Sequence, residues 1–228
     1  MNNDEKVNYK IKGLFPVPVI MIKFEQHEKY SNLPIMAKKD VKPEGWTVPL
    51  NTSYPNIVSD DDFISMEKAK ELKSDIKNTI DSVFKEMGIS TDYWIQSLWY
   101  NIYHNHQGQE VHSHLGALIP YWCGIYYNKN ASSTVFCKES GAHAVHKVPG
   151  WENSSQLIPS IGGFFSPSVA EGDILLFPPY LNHYVPKQEG IDSDDKMRVT
   201  FSFNLGHSKK MVEGWLNSEF EHWQKNYN

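Results

Sequence analysis

Cysteine is scarce in this sequence. Its 228 residues hold two, Cys123 and Cys137, too few to staple a chain of this size, so stability has to come from a packed core. Both are expected to be small buried hydrophobes. No apolar run approaches the roughly 20 residues that a bilayer-spanning helix needs. Positive charge is not in excess either. Lys plus Arg is 22 against 27 Asp plus Glu, a formal net charge of −5, which argues against non-specific nucleic-acid binding. The opening Met1-Asn2-Asn3-Asp4-Glu5-Lys6 does not have the basic-then-apolar layout of a secretory leader. No internal repeat, low-complexity tract or linker divides the chain. Together these absences lead to the expectation of a single cytoplasmic domain over residues 1–228, with no nucleic-acid or membrane partner.

Aromatic residues are abundant: 7 Trp, 12 Tyr and 11 Phe, 13% of the chain, a composition that favours sheets. One helix is plain. Met66, Ala69, Leu72, Ile76, Ile80, Val83, Phe84 and Met87 recur at steps of three and four and make one apolar stripe. Ser65 can cap its start and Gly88 can end it. A first strand is expected over Leu14–Phe24, with Pro16 and Pro18 placing it at an edge or a strand start. A second helix is expected over 212–223.

Between the helices the pattern is mostly strand. Expected segments are Tyr93–Tyr103, Val111–Leu115, Tyr121–Tyr127, Ser133–Cys137, Gly172–Phe177, Asn182–Pro186 and Arg198–Leu205. In the first of these, alternation puts Tyr93, Ile95, Ser97, Trp99, Asn101 and Tyr103 on one face. Residues 139–168 have no strong period and read as a long excursion. The architecture is therefore mainly β with flanking helices, an antiparallel barrel or sandwich. Its core runs from about 93 to 206, supported by 14–88 and by the C-terminal helix.

Ten histidines are present. His112-Ser113-His114 stands out because residues i and i+2 of a strand share a face, so two imidazoles converge as cis metal ligands would. His183, after the Pro178-Pro179 turn, is the candidate third ligand. Glu110 alternates with the pair and could supply a carboxylate instead. Arg198 alternates with Thr200 and Ser202 between apolar residues. A guanidinium pointing into a barrel is costly unless it meets an anion, and its fork matches a carboxylate. Trp99, Trp122 and Phe136 are candidate wall residues. His104, His106, His143 and His146 are weaker candidates, and Asp173 reads as a turn residue.

Over roughly Trp94–Asn204 the sequence resembles the iron(II)- and 2-oxoglutarate-dependent oxygenases. Their pattern is His, any residue, a carboxylate, a distal His, then Arg followed two residues later by Ser or Thr. His112, His183, Arg198 and Thr200 match it. The strand Cys123-Gly124-Ile125-Tyr126-Tyr127-Asn128 resembles the prolyl-hydroxylase branch, which implies that Tyr127 helps hold the far carboxylate of 2-oxoglutarate and that Tyr103 lines the same pocket. Leu14–Val19, the His-Ser-His pair and the Gly-Ile-Tyr-Tyr strand together resemble an oxygenase subfamily in which His stands where the carboxylate usually is.

The resemblance implies a double-stranded β-helix (jelly-roll, cupin-like) core, Fe(II), 2-oxoglutarate and O2. The implied product chemistry is hydroxylation of a peptide side chain, proline among them, or of a small molecule, with release of succinate and CO2. His114 departs from the pattern, and three assignments stay open: His114 is the third ligand, Glu110 is, or the site is weak or lost. A nitrogen-rich site also biases uptake toward nickel, copper or zinc. Two other classes compete: a three-His cupin-like metal enzyme that does not use 2-oxoglutarate, and a non-catalytic jelly-roll binding module.

Overall fold

The computed structural model describes residues 9–14, 17–33, 41–43, 46–57, 64–115, 120–137 and 164–208. The apolar stripe starting at Met66 folds as expected into a helix, Met66–Glu86. Ser65 caps it, its hydroxyl accepting the Lys68 N–H at 3.2 Å. At the other end Gly88 takes φ +71. Its N–H reaches Lys85 O while the Ile89 N–H reaches Phe84 O at 2.7 Å, the paired bonds that stop a helix on a left-handed residue. Ala69, Leu72, Ile76, Ile80, Val83 and Phe84 are buried along one side. Full burial of each larger side chain contributes roughly 1.5–3 kcal/mol.

The described elements in chain order are β1 (Tyr9–Leu14), β2 (Val17–Lys23), α1 (Glu28–Ser31), β3 (Asn51–Thr52), α2 (Met66–Glu86), β4 (Tyr93–Tyr103), β5 (Gln109–His112), β6 (Trp122–Lys129), β7 (Val135–Cys137), β8 (Phe164–Phe165), β9 (Asp173–Phe177), β10 (His183–Val185) and β11 (Arg198–His207). Two antiparallel sheets result. The larger has the order β1-β2-β9-β6-β11-β4-β3, the smaller β5-β10-β7-β8. This is the mainly β architecture with flanking helices that the pattern predicts.

Side-chain alternation splits the large sheet between two cores. On one face Ile20, Ile22, Ile174, Leu176, Tyr126, Phe201 and Phe203 join the α2 stripe. On the other, Val19, Cys123, Ile125, Tyr127, Leu175 and Phe177 meet Phe136 of the small sheet. Both cysteines are free and buried.

Three expectations are corrected. The strand expected over Leu14–Phe24 is β2, and Leu14 belongs instead to a preceding strand, β1, which pairs antiparallel with it from Tyr9–Ile22 to Leu14–Val17. β2 lies inside the sheet, and of the two places expected for proline Pro18 takes the strand start: pairing with β9 begins at Ile20, beyond Pro18, which has no N–H to donate. In β4 the pairing with β11 shifts: Ser97 opposes Asn204 and Ile95 opposes Leu205, leaving Gln96 without an opposite residue. Such a bulge inverts the alternation, so Tyr93 and Ile95 join Leu98, Tyr100 and Ile102 on the α2 side, not the face of Trp99. Finally, the strand expected over Val111–Leu115 ends at His112. The expected helix over 212–223 and the excursion, apart from residues 164–168, lie outside the described residues. Among the described residues no helix is long and apolar enough to cross a membrane.

Candidate metal centre

Strand pairing in the small sheet sets His183 directly opposite His112. Their ring centroids are 4.3 Å apart. His114 follows the end of β5, where its N–H donates to Pro179 O at 2.8 Å. The Pro178-Pro179 turn thus positions the ring that strand geometry alone does not. That ring lies 5.6 Å from His112 and 5.2 Å from His183, centroid to centroid. One ligand atom from each of the three histidines falls within 4.8 Å of the others, a group able to hold one metal ion.

The hydrogen bonds select the atoms. Nδ1 of His112 meets Glu110 O at 2.8 Å, Nδ1 of His183 meets Leu181 O at 2.9 Å, and Nδ1 of His114 meets Asn204 Oδ1 at 2.8 Å. All three acceptors lack a proton to give, so each Nδ1 carries the hydrogen and each Nε2 keeps its lone pair. Burial lowers the pKa of all three, that of His114 to about 4, with neighbouring imidazoles adding to the effect at His114 and His183. Three neutral imidazoles presenting lone pairs fit a divalent metal ion.

Glu110 is engaged elsewhere. Its Oε1 accepts from the Thr47 N–H and hydroxyl and from the Val48 N–H, and these bonds offset its own desolvation and hold its pKa low. Its carboxylate is not part of the three-histidine group.

Arg198 is 1% exposed. Its guanidinium carbon stands 4.5 Å from the Tyr103 ring centroid and 5.7 Å from that of Tyr127. Nη2 donates to Ser132 O at 3.2 Å, whereas Nε and Nη1 are buried without a hydrogen-bond partner. A fully buried cation with two orphaned donors is costly. The arrangement fits a small carboxylate ligand. Thr200, also buried, sits between Asn101 and Tyr127 in the register. The tyrosine hydroxyls turn sideways: Tyr127 donates to Thr134 Oγ1 at 3.0 Å and Tyr103 to Gln109 Oε1 at 2.9 Å. Burial raises both pKa values against the pull of Arg198. Gln109 belongs to β5, and Tyr103 also packs with Val185 of β10. The residues around Arg198 therefore adjoin the strands that carry His112 and His183.

Trp99 lies beside His114, 6.2 Å between ring centroids, and Phe136 beside His183 at 5.9 Å. Trp122 instead packs against Phe84 of α2. His104 precedes the β4–β5 turn, and His106 within it is exposed with φ 63; neither joins the metal-binding group. Asp173 accepts the Ala170 N–H at 2.7 Å, as a turn residue does. His143 and His146 lie outside the described residues. Sequence reasoning missed Trp46 and Tyr54. Trp46 lies 6.4 Å from His112 and 5.6 Å from Tyr54, whose ring abuts Trp99 at 5.3 Å. They come from the irregular stretch before α2, where no period marks a facing residue. Asn204 was also missed, although its place on the Arg198-Thr200-Ser202 face is visible from alternation.

Residues 97–204 match the family model described as "Putative 2OG-Fe(II) oxygenase". Over this stretch, a little under half of the chain, the sequence is similar to the 2OG-Fe(II) oxygenases. The match supports an oxygenase of the kind that works with Fe(II) and 2-oxoglutarate. No curated protein matches it. Among solved structures it is similar to the non-heme alpha ketoglutarate dependent epimerase SnoN from nogalamycin biosynthesis, at 10% identity and TM-score 0.50, covering 83% of this chain and 77% of that one. It is also similar to a 2OG-Fe(II) oxygenase family oxidoreductase from Burkholderia pseudomallei (8% identity, TM-score 0.46, 90% and 77% covered). HygX from Streptomyces hygroscopicus, solved with nickel, 2-oxoglutarate and hygromycin B, gives 13% identity, TM-score 0.47 and 85% and 84% coverage. At such identities the likeness to SnoN speaks for the jelly-roll fold alone.

Proposed function

We propose that the chain is a hydroxylase in which His112, His114 and His183 hold Fe(II) through Nε2 and Arg198 anchors 2-oxoglutarate. The observation that carries this reading is Arg198, fully buried with Nε and Nη1 unpaired, beside tyrosines that adjoin the strands of the histidine group. Fe(II) bound there supplies the oxygen activation that couples decarboxylation of 2-oxoglutarate to succinate and CO2 with hydroxylation of a substrate C–H bond.

The chain's own residues bind, orient and exclude water. Arg198 receives the far carboxylate through its orphaned donors, with Thr200 and Tyr127 beside it. Tyr103 and Tyr127 wall the guanidinium, so its field acts at low dielectric. The three Nδ1–H bonds fix each imidazole in one tautomer and one orientation. His114 leaves the site one charge more positive than a carboxylate would, which favours a dianionic cosubstrate. Glu110 braces the 47–48 segment rather than the metal. The substrate is a peptide side chain, proline included, or a small molecule. Here Arg198 and Thr200 favour a 2-oxoglutarate enzyme over a three-His metal enzyme without that cosubstrate, which has no need of a buried diacid anchor.

The test is succinate formation with Fe(II), 2-oxoglutarate and O2, alongside equilibrium binding of 2-oxoglutarate to the anaerobic Fe(II) protein. Binding that is lost in Arg198→Ala is the expected result. Absence of binding, or binding unchanged by that substitution, would remove the reading.

A further inference from the structure

His112 and His183 are oriented alike: each gives its Nδ1–H to a main-chain carbonyl two residues earlier in its own strand or turn, Glu110 O and Leu181 O. Local backbone therefore fixes both rings, and no side-chain substitution removes those acceptors. His114 differs. Its strand has already ended, and its Nδ1–H goes to the side chain of Asn204, 90 residues away, at 2.8 Å. Asn204 stands at the β4–β11 bulge, opposite Ser97 on one side and Cys123 on the other. The register shift falls between Asn204 and Leu205. The same irregularity that inverts the β4 face thus marks the place where β11 supports the third histidine.

We infer that Asn204 is a positioning residue for the metal centre: through its amide oxygen it fixes the tautomer and orientation of His114. The inference rests on the reading of His114 as a ligand. Its physical basis is that a ring nitrogen offers a lone pair to a metal only when the proton sits on the other nitrogen, and an acceptor at Nδ1 holds it there. A carboxylate in place of the amide keeps the acceptor and adds a negative charge behind the imidazole, raising ligand basicity. The oxygen acceptor, not the amide nitrogen, is what the site needs.

The experiment is an anaerobic titration with Co(II) alone, read by its visible ligand-field spectrum and by competition with Zn(II). It covers the unsubstituted chain, His114→Ala, Asn204→Leu and Asn204→Asp, with thermal unfolding of each apo form as the folding control. Loss of an outer partner of this kind costs about 10- to 100-fold in metal affinity. Asn204→Leu is expected to fall in that range, with a spectrum moved toward that of His114→Ala. Asn204→Asp is expected to stay close to the unsubstituted chain or bind more tightly. If His114→Ala weakens binding while Asn204→Leu binds like the unsubstituted chain, or if Asn204→Asp loses as much as Asn204→Leu, the role of Asn204 is overturned. Unchanged Co(II) binding in His114→Ala would instead overturn the ligand reading beneath it. The apo unfolding curves separate these results from a fold that has failed.

Discussion

Arg198 and Tyr103 face each other across the β4–β11 pair, and the guanidinium carbon lies 4.5 Å from the centre of the phenol ring. Cation–ring contact offsets part of the cost of burying this charge, but two donors stay unpaired. Replacing Arg198 by Met is therefore expected to leave the ligand-free protein as stable as before or more so, because an unpaired buried charge gives way to apolar volume. The same substitution should weaken 2-oxoglutarate binding roughly 30- to 3,000-fold, the loss expected for a severed buried charge pair. Urea unfolding of the apo protein and cosubstrate titration check the two halves separately.

Glu110→Gln is expected to retain metal, and His112→Ala to lose it. Glu110 Oε1 is committed to Thr47 and Val48, so the amide change weakens that local bracing by about 1–3 kcal/mol at most. Metal content after anaerobic loading and desalting distinguishes the two variants; loss of metal in Glu110→Gln alone would point to the carboxylate as ligand.

Trp99 and Trp46 lie close to the histidine rings, 6.2 Å from His114 and 6.4 Å from His112, while Trp94 is 51% exposed on another part of β4. Co(II) binding is expected to quench tryptophan emission, and Trp99→Phe and Trp46→Phe each to remove part of that quenching. Trp94→Phe should change the emission of the apo protein and leave the metal-dependent drop in place. Fluorescence titration of the three variants is the check.

Gly124→Ala is expected to destabilise the fold by about 1–3 kcal/mol. A Cβ on Gly124 would come within 2.1 Å of the Phe203 ring, which is buried in the α2-side core. A shifted urea midpoint at constant slope is the expected signature.

Part of the site was legible from period. Alternation puts Arg198 and Thr200 on one face of their strand, and α2 follows from its stripe and its Ser65 and Gly88 ends, whereas the grouping of His183 with His112 was suggested by the family resemblance and rests in the structure on the pairing of β5 with β10. What alternation could not supply is where alternation stops. The bulge at Gln96 moves Tyr93 and Ile95 to the helix side, and β5 ends before His114, whose place depends on hydrogen bonds to Pro179 O and Asn204. Glu110 shares the strand of His112, but its carboxylate follows the Thr47–Val48 donors, a tertiary contact with no sequence signal. Trp46 and Tyr54 were invisible for the same reason.

The most direct test of the central claim is an anaerobic crystal structure with Fe(II) and 2-oxoglutarate. It should show Nε2 of His112, His114 and His183 on one iron, with the far carboxylate of the cosubstrate on Arg198 Nε and Nη1. An iron held by Glu110 with His114 turned away, or a cosubstrate bound elsewhere while Arg198 keeps its donors empty, would contradict it.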